Sequence, residues 1–304
     1  MTQPTSPHGF RLGGDLPVRR LGYGSMQLTG PGHWYHPDDP DHAKRLLRHA
    51  VEHGVNHIDT ADAYGPDTAE HLIRKALHPY PDDLVIATKG GLTRQGPNQW
   101  APVGRPEYLR QCVEMSLRRL AVERIDLYYL HRIDPAVPLD DQLGVLADMQ
   151  AEGKVRHLGM SKVDIQQLRH ATAWFTVAAV QNKHHLGRRA DEDLIRHCEE
   201  TQTAFVPYAP LGAGQLARHP ALDVLARRYN ATKTQIALAW LLQLSPVVLP
   251  IPGTASEIHL DENLRAADIS LEPADAHLLN ETAIYPASQR QQSTRSCHVP
   301  TPTR

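Results

Sequence analysis

The run Leu84-Val85-Ile86-Ala87-Thr88-Lys89 decides the architecture. It is apolar at consecutive rather than alternate positions, and it ends on a lysine followed by Gly90-Gly91. Such a strand must be buried on both faces, as in a parallel sheet covered by helices. Val247-Val248-Leu249-Pro250-Ile251 reads in the same way. Outward from these two, short apolar runs recur at 21–26, 55–60, 125–131, 155–161, 178–182 and 204–208. Helical spacing follows the strands near 41–53, 67–77, 106–121, 140–151, 164–173, 190–201, 219–243 and 256–267, the 219–243 stretch reading as two segments. Eight strand–helix units are expected, the number that closes a (β/α)8 TIM barrel. Pro106 behind Arg105 marks a helix start, and Gly153 between Glu152 and Lys154 marks a helix end. A doubly wound open sheet is the alternative, but no GxGxxG follows the first strand; Leu21-Gly22-Tyr23-Gly24 is only a partial echo.

Composition narrows the function classes. The chain has 304 residues, with 32 basic against 34 acidic side chains and a net charge of −2. That balance argues against a nucleic-acid binder or a polybasic membrane-surface protein. A hydrophobic content of 41% suffices for a sizeable core. Cys112, Cys198 and Cys297 are dispersed and odd in number, which predicts a reducing compartment without a disulfide framework. No signal-peptide pattern opens the chain, and Gln243, Ser245 and three prolines break the most apolar stretch, 236–253. A cytoplasmic protein is expected. The 19 histidines lack paired ligand spacing in this reading, so no metal site is expected. No shift in composition divides the chain: residues 1–285 are read as one barrel and 286–304 as a polar tail. The first nineteen residues are read as a small hairpin or a cover over the barrel bottom.

Catalytic side chains of a barrel sit at the C-terminal ends of its strands. Asp59, Tyr64, Lys89 and His131 all fall there. Together they resemble the catalytic set of the aldo-keto reductase superfamily, which implies carbonyl reduction: hydride delivery to carbon and a proton for the developing alkoxide. A tyrosine is a poor acid at neutral pH unless a neighbouring cation stabilises the phenolate. Lys89 can supply that charge, Asp59 can hold the lysine, and neutral His131 can donate to the substrate oxygen. Taken singly, each has a plainer reading. Asp59 serves as a strand-end turn residue, Tyr64 as a rim aromatic and His131 as an interior histidine. Lys89 alone could bind phosphate, pair structurally or form a Schiff base.

These residues lie within motifs that resemble the aldo-keto reductase superfamily. The match runs from Arg20-Leu21-Gly22-Tyr23-Gly24 to Asp261-Glu262-Asn263 and includes Gly54 through Gly65 (GVNHIDTADAYG). It also includes 153–161 (GKVRHLGMS) and 208–212 (YAPLG). The opening 21–28 with Gly30-Pro31-Gly32 is similar to a bacterial branch containing pyridoxal reductase-like enzymes. The resemblance implies NADPH as cofactor (NADH less favoured), a small carbonyl substrate, and Tyr64 as acid in reduction and base in alcohol oxidation.

It further implies that Ser161 and Gln181 hold the nicotinamide carboxamide and that Tyr208 stacks on the ring. Gly24, Ser25 and Met26, with Asp59, would line the nicotinamide side. Pro210, Leu211, Gly212, Gln215 and Leu216 would lie along the pyrophosphate. Gly253, Thr254 and Ser256 would hold the 2′-phosphate, and His259, Glu262 and Asn263 the adenosine end. Two departures stand out: Lys162 occupies the position where the family has Asn, and Gly253 and His259 replace Lys and Arg. Trp34, Tyr35, Trp100 and Arg132 are candidates for the substrate pocket. A Schiff-base aldolase using Lys89 and a non-catalytic NADP(H)-binding redox sensor are the rival functions. Oligomeric state and substrate identity are not encoded in these motifs.

Overall fold

Three of the barrel strands end on a polar side chain, Asp59, Ser161 and Gln181, where the apolar run stops. The computed structural model describes residues 9–212, 216 and 219–282. The expected boundary between barrel and tail at 285/286 lies outside the described residues. An antiparallel hairpin comes first, β1 (Gly9–Leu12) and β2 (Leu16–Arg19). The barrel strands are β3 (Tyr23–Gly24), β4 (His57–Asp59) and β5 (Val85–Gly90). A second hairpin, β6 (Leu92–Gly96) and β7 (Gln99–Pro102), precedes β8 (Ile125–Leu130), β9 (Val155–Ser161), β10 (Val177–Gln181) and β11 (Ala204–Phe205). The parallel order is β11-β10-β9-β8-β5-β4-β3.

The eighth position is filled by residues 247–252 without a regular strand. Phe205 N donates to Val247 O (2.8 Å) and Leu249 N to Phe205 O (2.8 Å) on one side. Gly22 N donates to Pro250 O (2.9 Å) and Gly24 N to Pro252 O (3.3 Å) on the other. The segment therefore closes the barrel between β11 and β3. Pro250 and Pro252 have no N–H, so the ladder thins there, and the expected strand at 247–251 is a run of bridging contacts. Closure also explains two glycines. A Cβ on Gly24 would sit 2.8 Å from Ile251 O, and one on Gly253 would sit 2.7 Å from Gly24 O.

The outer helices are α1 (Pro40–Glu52), α2 (Thr68–Leu77), α3 (Pro106–Leu120), α4 (Leu139–Ala151), α5 (Ile165–Ala171) and α6 (Glu192–Glu200). They continue with α7 (Pro220–Arg228), α8 (Lys233–Leu244) and α9 (Glu257–Arg265). Their starts follow capping chemistry. Asp39 accepts from His42 N (2.8 Å) ahead of Pro40, and Asp164/Gln167 and Thr232/Gln235 form capping boxes. Gly153 adopts φ +79° after α4, the left-handed turn its position called for. α8 is buried on nearly every side, which explains its continuous apolar pattern. A tenth helix, α10 (Pro273–Glu281), was not anticipated, because no side chain caps it and its apolar residues form no clear stripe. Among the described residues no helix is long and apolar enough to cross a membrane.

Candidate active site

β4, β5 and β8 run parallel with Asp59 paired to Ala87 and Lys89 to Tyr129, which brings their C-terminal ends to one rim. Lys89 Nζ lies 2.5 Å from Asp59 Oδ1, 2.8 Å from Thr60 O and 3.4 Å from the Tyr64 hydroxyl. Lys89 is fully buried, and Asp59 nearly so. Gln181 Nε2 donates to the other carboxylate oxygen of Asp59 at 2.7 Å. The carboxylate is thus fixed from two sides, and it fixes the ammonium in turn.

Burial pulls the Lys89 pKa down, but Asp59 and Tyr64 outweigh it and leave the ammonium above its ordinary value. For Tyr64, burial raises the pKa and Lys89 opposes it; burial wins, so the phenol is protonated at neutral pH. A proton donor for reduction must start in that state. Burial, followed by the charges of Lys89, Lys162, Arg132 and Arg94, holds His131 well below the ordinary imidazole range. His131 is therefore neutral, its backbone N–H is bound to Gly90 O (2.9 Å), and its Nδ1 has no partner among the described residues.

The Tyr64 and His131 rings stand edge to face at 5.9 Å, with Trp100 6.4 Å from Tyr64 and 6.5 Å from His131. Trp100 comes from the β6–β7 hairpin. The guanidinium of Arg94, 3.6 Å above the Trp100 ring, bonds Ala63 O (2.6 Å), His33 O (2.8 Å) and Gly32 O (3.0 Å). Arg94 thereby ties its own hairpin to two loops around the mouth. Sequence reading missed it, although Gly96-Pro97-Asn98 was a legible turn between two strands. Trp34 packs against Tyr35 (5.2 Å) and beneath Arg94 (5.4 Å), and Tyr35 projects into solvent.

Ser161 Oγ donates to Gln181 O (3.0 Å), and Lys162 N donates to the same carbonyl (3.0 Å). Ser161, Gln181 and Asp59 thus form one chain of contacts. Lys162 Nζ lies 5.5 Å over the Tyr208 ring. Burial and the like charges of Arg132 and Lys183 push Lys162 down to about 8. Ser25 Oγ and Arg132 Nε are buried with no partner among the described residues. Leu211 and the positive-φ Gly212 follow Tyr208 and Pro210, Leu216 is buried, and Gln215 lies outside the described residues.

Ser256 caps α9 by accepting from His259 N (3.4 Å), and Thr254 Oγ1 accepts from Ser256 N (3.1 Å). The His259 side chain is exposed, Glu262 is half-buried and Asn263 is buried. The cations Lys162, Arg132 and Lys183, buried donors unpartnered among the described residues and a helix N-terminus fit an anionic dinucleotide. Asp62, whose carboxyl burial pushes up to about 8, has its Oδ1 unpartnered among the described residues and belonged to no expected site.

The model described as the aldo/keto reductase family matches residues 20–284. The chain is 45% identical over 283 residues to an uncharacterized oxidoreductase of Schizosaccharomyces pombe, covering 93% of this chain and 92% of that one. It is 41% identical over 272 residues to pyridoxine 4-dehydrogenase of Escherichia coli, covering 88% and 95%. A glycerol dehydrogenase structure from Gluconobacter oxydans superposes with a TM-score of 0.84 at 25% identity, covering 92% of this chain and 98% of that one. An aldo-keto reductase from Klebsiella pneumoniae, solved in complex with NADPH, gives 0.79 at 27% identity, covering 96% and 99%.

Proposed function

The chain belongs to the aldo/keto reductase family, and from that premise we propose that it reduces an aldehyde or ketone to the alcohol with NADPH, Tyr64 donating the proton. The observation that carries this reading is the buried Lys89 ammonium, held by Asp59 and within 3.4 Å of the Tyr64 hydroxyl. When bound, NADPH supplies the hydride. The side chains supply the rest. Neutral His131 donates a hydrogen bond to the carbonyl oxygen and orients it. As Tyr64 releases its proton to that oxygen, the phenolate forms beside Lys89, whose charge stabilises it. Asp59 keeps Lys89 charged and in place. The same lock opposes a Schiff-base role, since a protonated amine has no lone pair for attack.

Ser161, Gln181 and Tyr208 would hold the nicotinamide end, and the α9 N-terminus with Thr254 and Ser256 the 2′-phosphate. Trp100, Trp34 and Arg132 would shape the substrate pocket, with Tyr35 at its edge. The cations Lys162, Arg132 and Lys183 favour a substrate that is anionic or carries a phosphate. The 41% identity to pyridoxine 4-dehydrogenase makes pyridoxal the first carbonyl to try.

The test is carbonyl-dependent loss of NADPH absorbance over a panel of aldehydes and ketones that includes pyridoxal. Saturable turnover with at least one carbonyl supports the reading. Tight NADPH binding with no turnover across the panel would overturn it in favour of a binding module.

A further inference from the structure

We propose that His49, His53 and Asp261 form a site for a divalent transition metal, with Zn2+ the chemically best-suited ion. The histidines belong to the last turn and C-terminal cap of α1, and the aspartate to the middle of α9. One ligand atom from each lies within 4.8 Å of the others. His49 Nε2 is 2.7 Å from Asp261 Oδ1, and the His49 and His53 rings stack with centroids 3.9 Å apart. Four-coordinate Zn2+ with bonds of about 2.1 Å spaces its ligand atoms roughly 3.4 Å apart. The closest pair must therefore open slightly and the widest close slightly, which side-chain rotations allow.

The expectation that the histidines lack paired ligand spacing is corrected here, because His49 and His53 stand four residues apart on one helical face. Two further features favour a metal over a plain ion pair. His53 Nδ1 is 2.8 Å from the His49 carbonyl. A carbonyl only accepts, so Nδ1 carries the proton and Nε2 of neutral His53 keeps its lone pair; ligating histidines are commonly oriented by such a bond. The two helices are also pinned before any ion arrives, because Leu46, Leu47 and Ala50 of α1 share a buried cluster with Leu260 of α9.

A cavity of about 650 Å³ opens beside the site, at the end of the barrel where the strands begin. His53 and Asp261 line it together with Arg19, Arg20 and Arg265. An ion on its rim would keep a coordination position open to water or a small anion, which the guanidiniums would favour. Binding involves no redox change. His49 in the neutral form moves its Nε2 proton to Nδ1, and in the charged form releases it to solvent, freeing Nε2 for the metal.

The test uses the untagged full chain, Zn2+ in equilibrium dialysis and Co2+ as a visible-absorbance probe, without NADPH or substrate. Wild type is expected to bind one equivalent saturably. His53→Gln and Asp261→Asn should each weaken that site about ten-fold or more with unchanged circular dichroism. Absence of saturable binding by wild type, or wild-type affinity retained in either variant, would overturn the proposal. Neither result bears on carbonyl reduction.

Discussion

With its ammonium enclosed by Asp59, Thr60 O and the Tyr64 hydroxyl, Lys89 bears on stability as well as on the proposed catalysis. Removing one partner of a buried ion pair strands the other charge, at a cost of about 3–5 kcal/mol. Lys89→Met should therefore be inactive and also lower the melting temperature. The double variant Asp59→Asn/Lys89→Met should recover much of that stability while staying inactive. Recovery of turnover in the double variant would separate the lysine from catalysis. A second residue-scale expectation concerns His259, exposed on the first turn of α9 behind the Ser256 cap. His259→Arg supplies a fixed guanidinium, so the NADPH dissociation constant should fall about ten-fold while that of NADH barely moves. Equal shifts for the two cofactors would remove His259 from the 2′-phosphate. Residues of this kind were legible where a charged group interrupted an apolar run, as at Asp59 and Lys89. Arg94 was not, because its partners are backbone carbonyls of loops distant in sequence.

At the scale of elements, the β6–β7 hairpin is the least anticipated part of the rim. It brings Trp100 against Tyr64 and His131, and its Arg94 holds the loops at Gly32, His33 and Ala63. Arg94→Ala should loosen both the 32–33 and the 63 loop. Misplacing positioning groups by about 1 Å can cost on the order of a hundred-fold in rate. We expect kcat/KM to fall by about ten- to a hundred-fold with little change in NADPH affinity. An unchanged kcat/KM would reduce the hairpin to a surface ornament. The elements easiest to read were those with one dominant signal: β5 by its continuous apolar run, α3 by Pro106 at its start and α4 by Gly153 after its end. The eighth strand position was legible in placement but not in form, because Pro250 and Pro252 remove the donors that a regular strand requires. α10 lacked both an apolar stripe and a capping side chain, and Pro273 at its start was the one local signal of it.

For the molecule as a whole, the barrel buries histidines that carry no charge. Burial lowers His57 to about 4 and His184 to about 3, with both ring nitrogens of each unpartnered among the described residues. Unfolding restores an ordinary pKa near 6.5, so the unfolded chain binds more protons below that pH. Stability should therefore be held above pH 6.5 and be lost as pH falls towards 4 and then 3. Each unit of such a shift is worth about 1.4 kcal/mol. Thermal melts across that range should show a steep acid limb, and a melting temperature flat from pH 7 to 4 would contradict it. At the rim of that barrel the proposed chemistry turns on one hydroxyl, that of Tyr64. The most direct measurement is the steady-state rate of carbonyl-dependent NADPH oxidation by Tyr64→Phe against wild type, using a carbonyl that wild type turns over. Since the substitution deletes only the proton donor, kcat should fall by about 10²–10⁴-fold while the NADPH dissociation constant stays unchanged. A Tyr64→Phe enzyme with near-wild-type kcat would contradict the account.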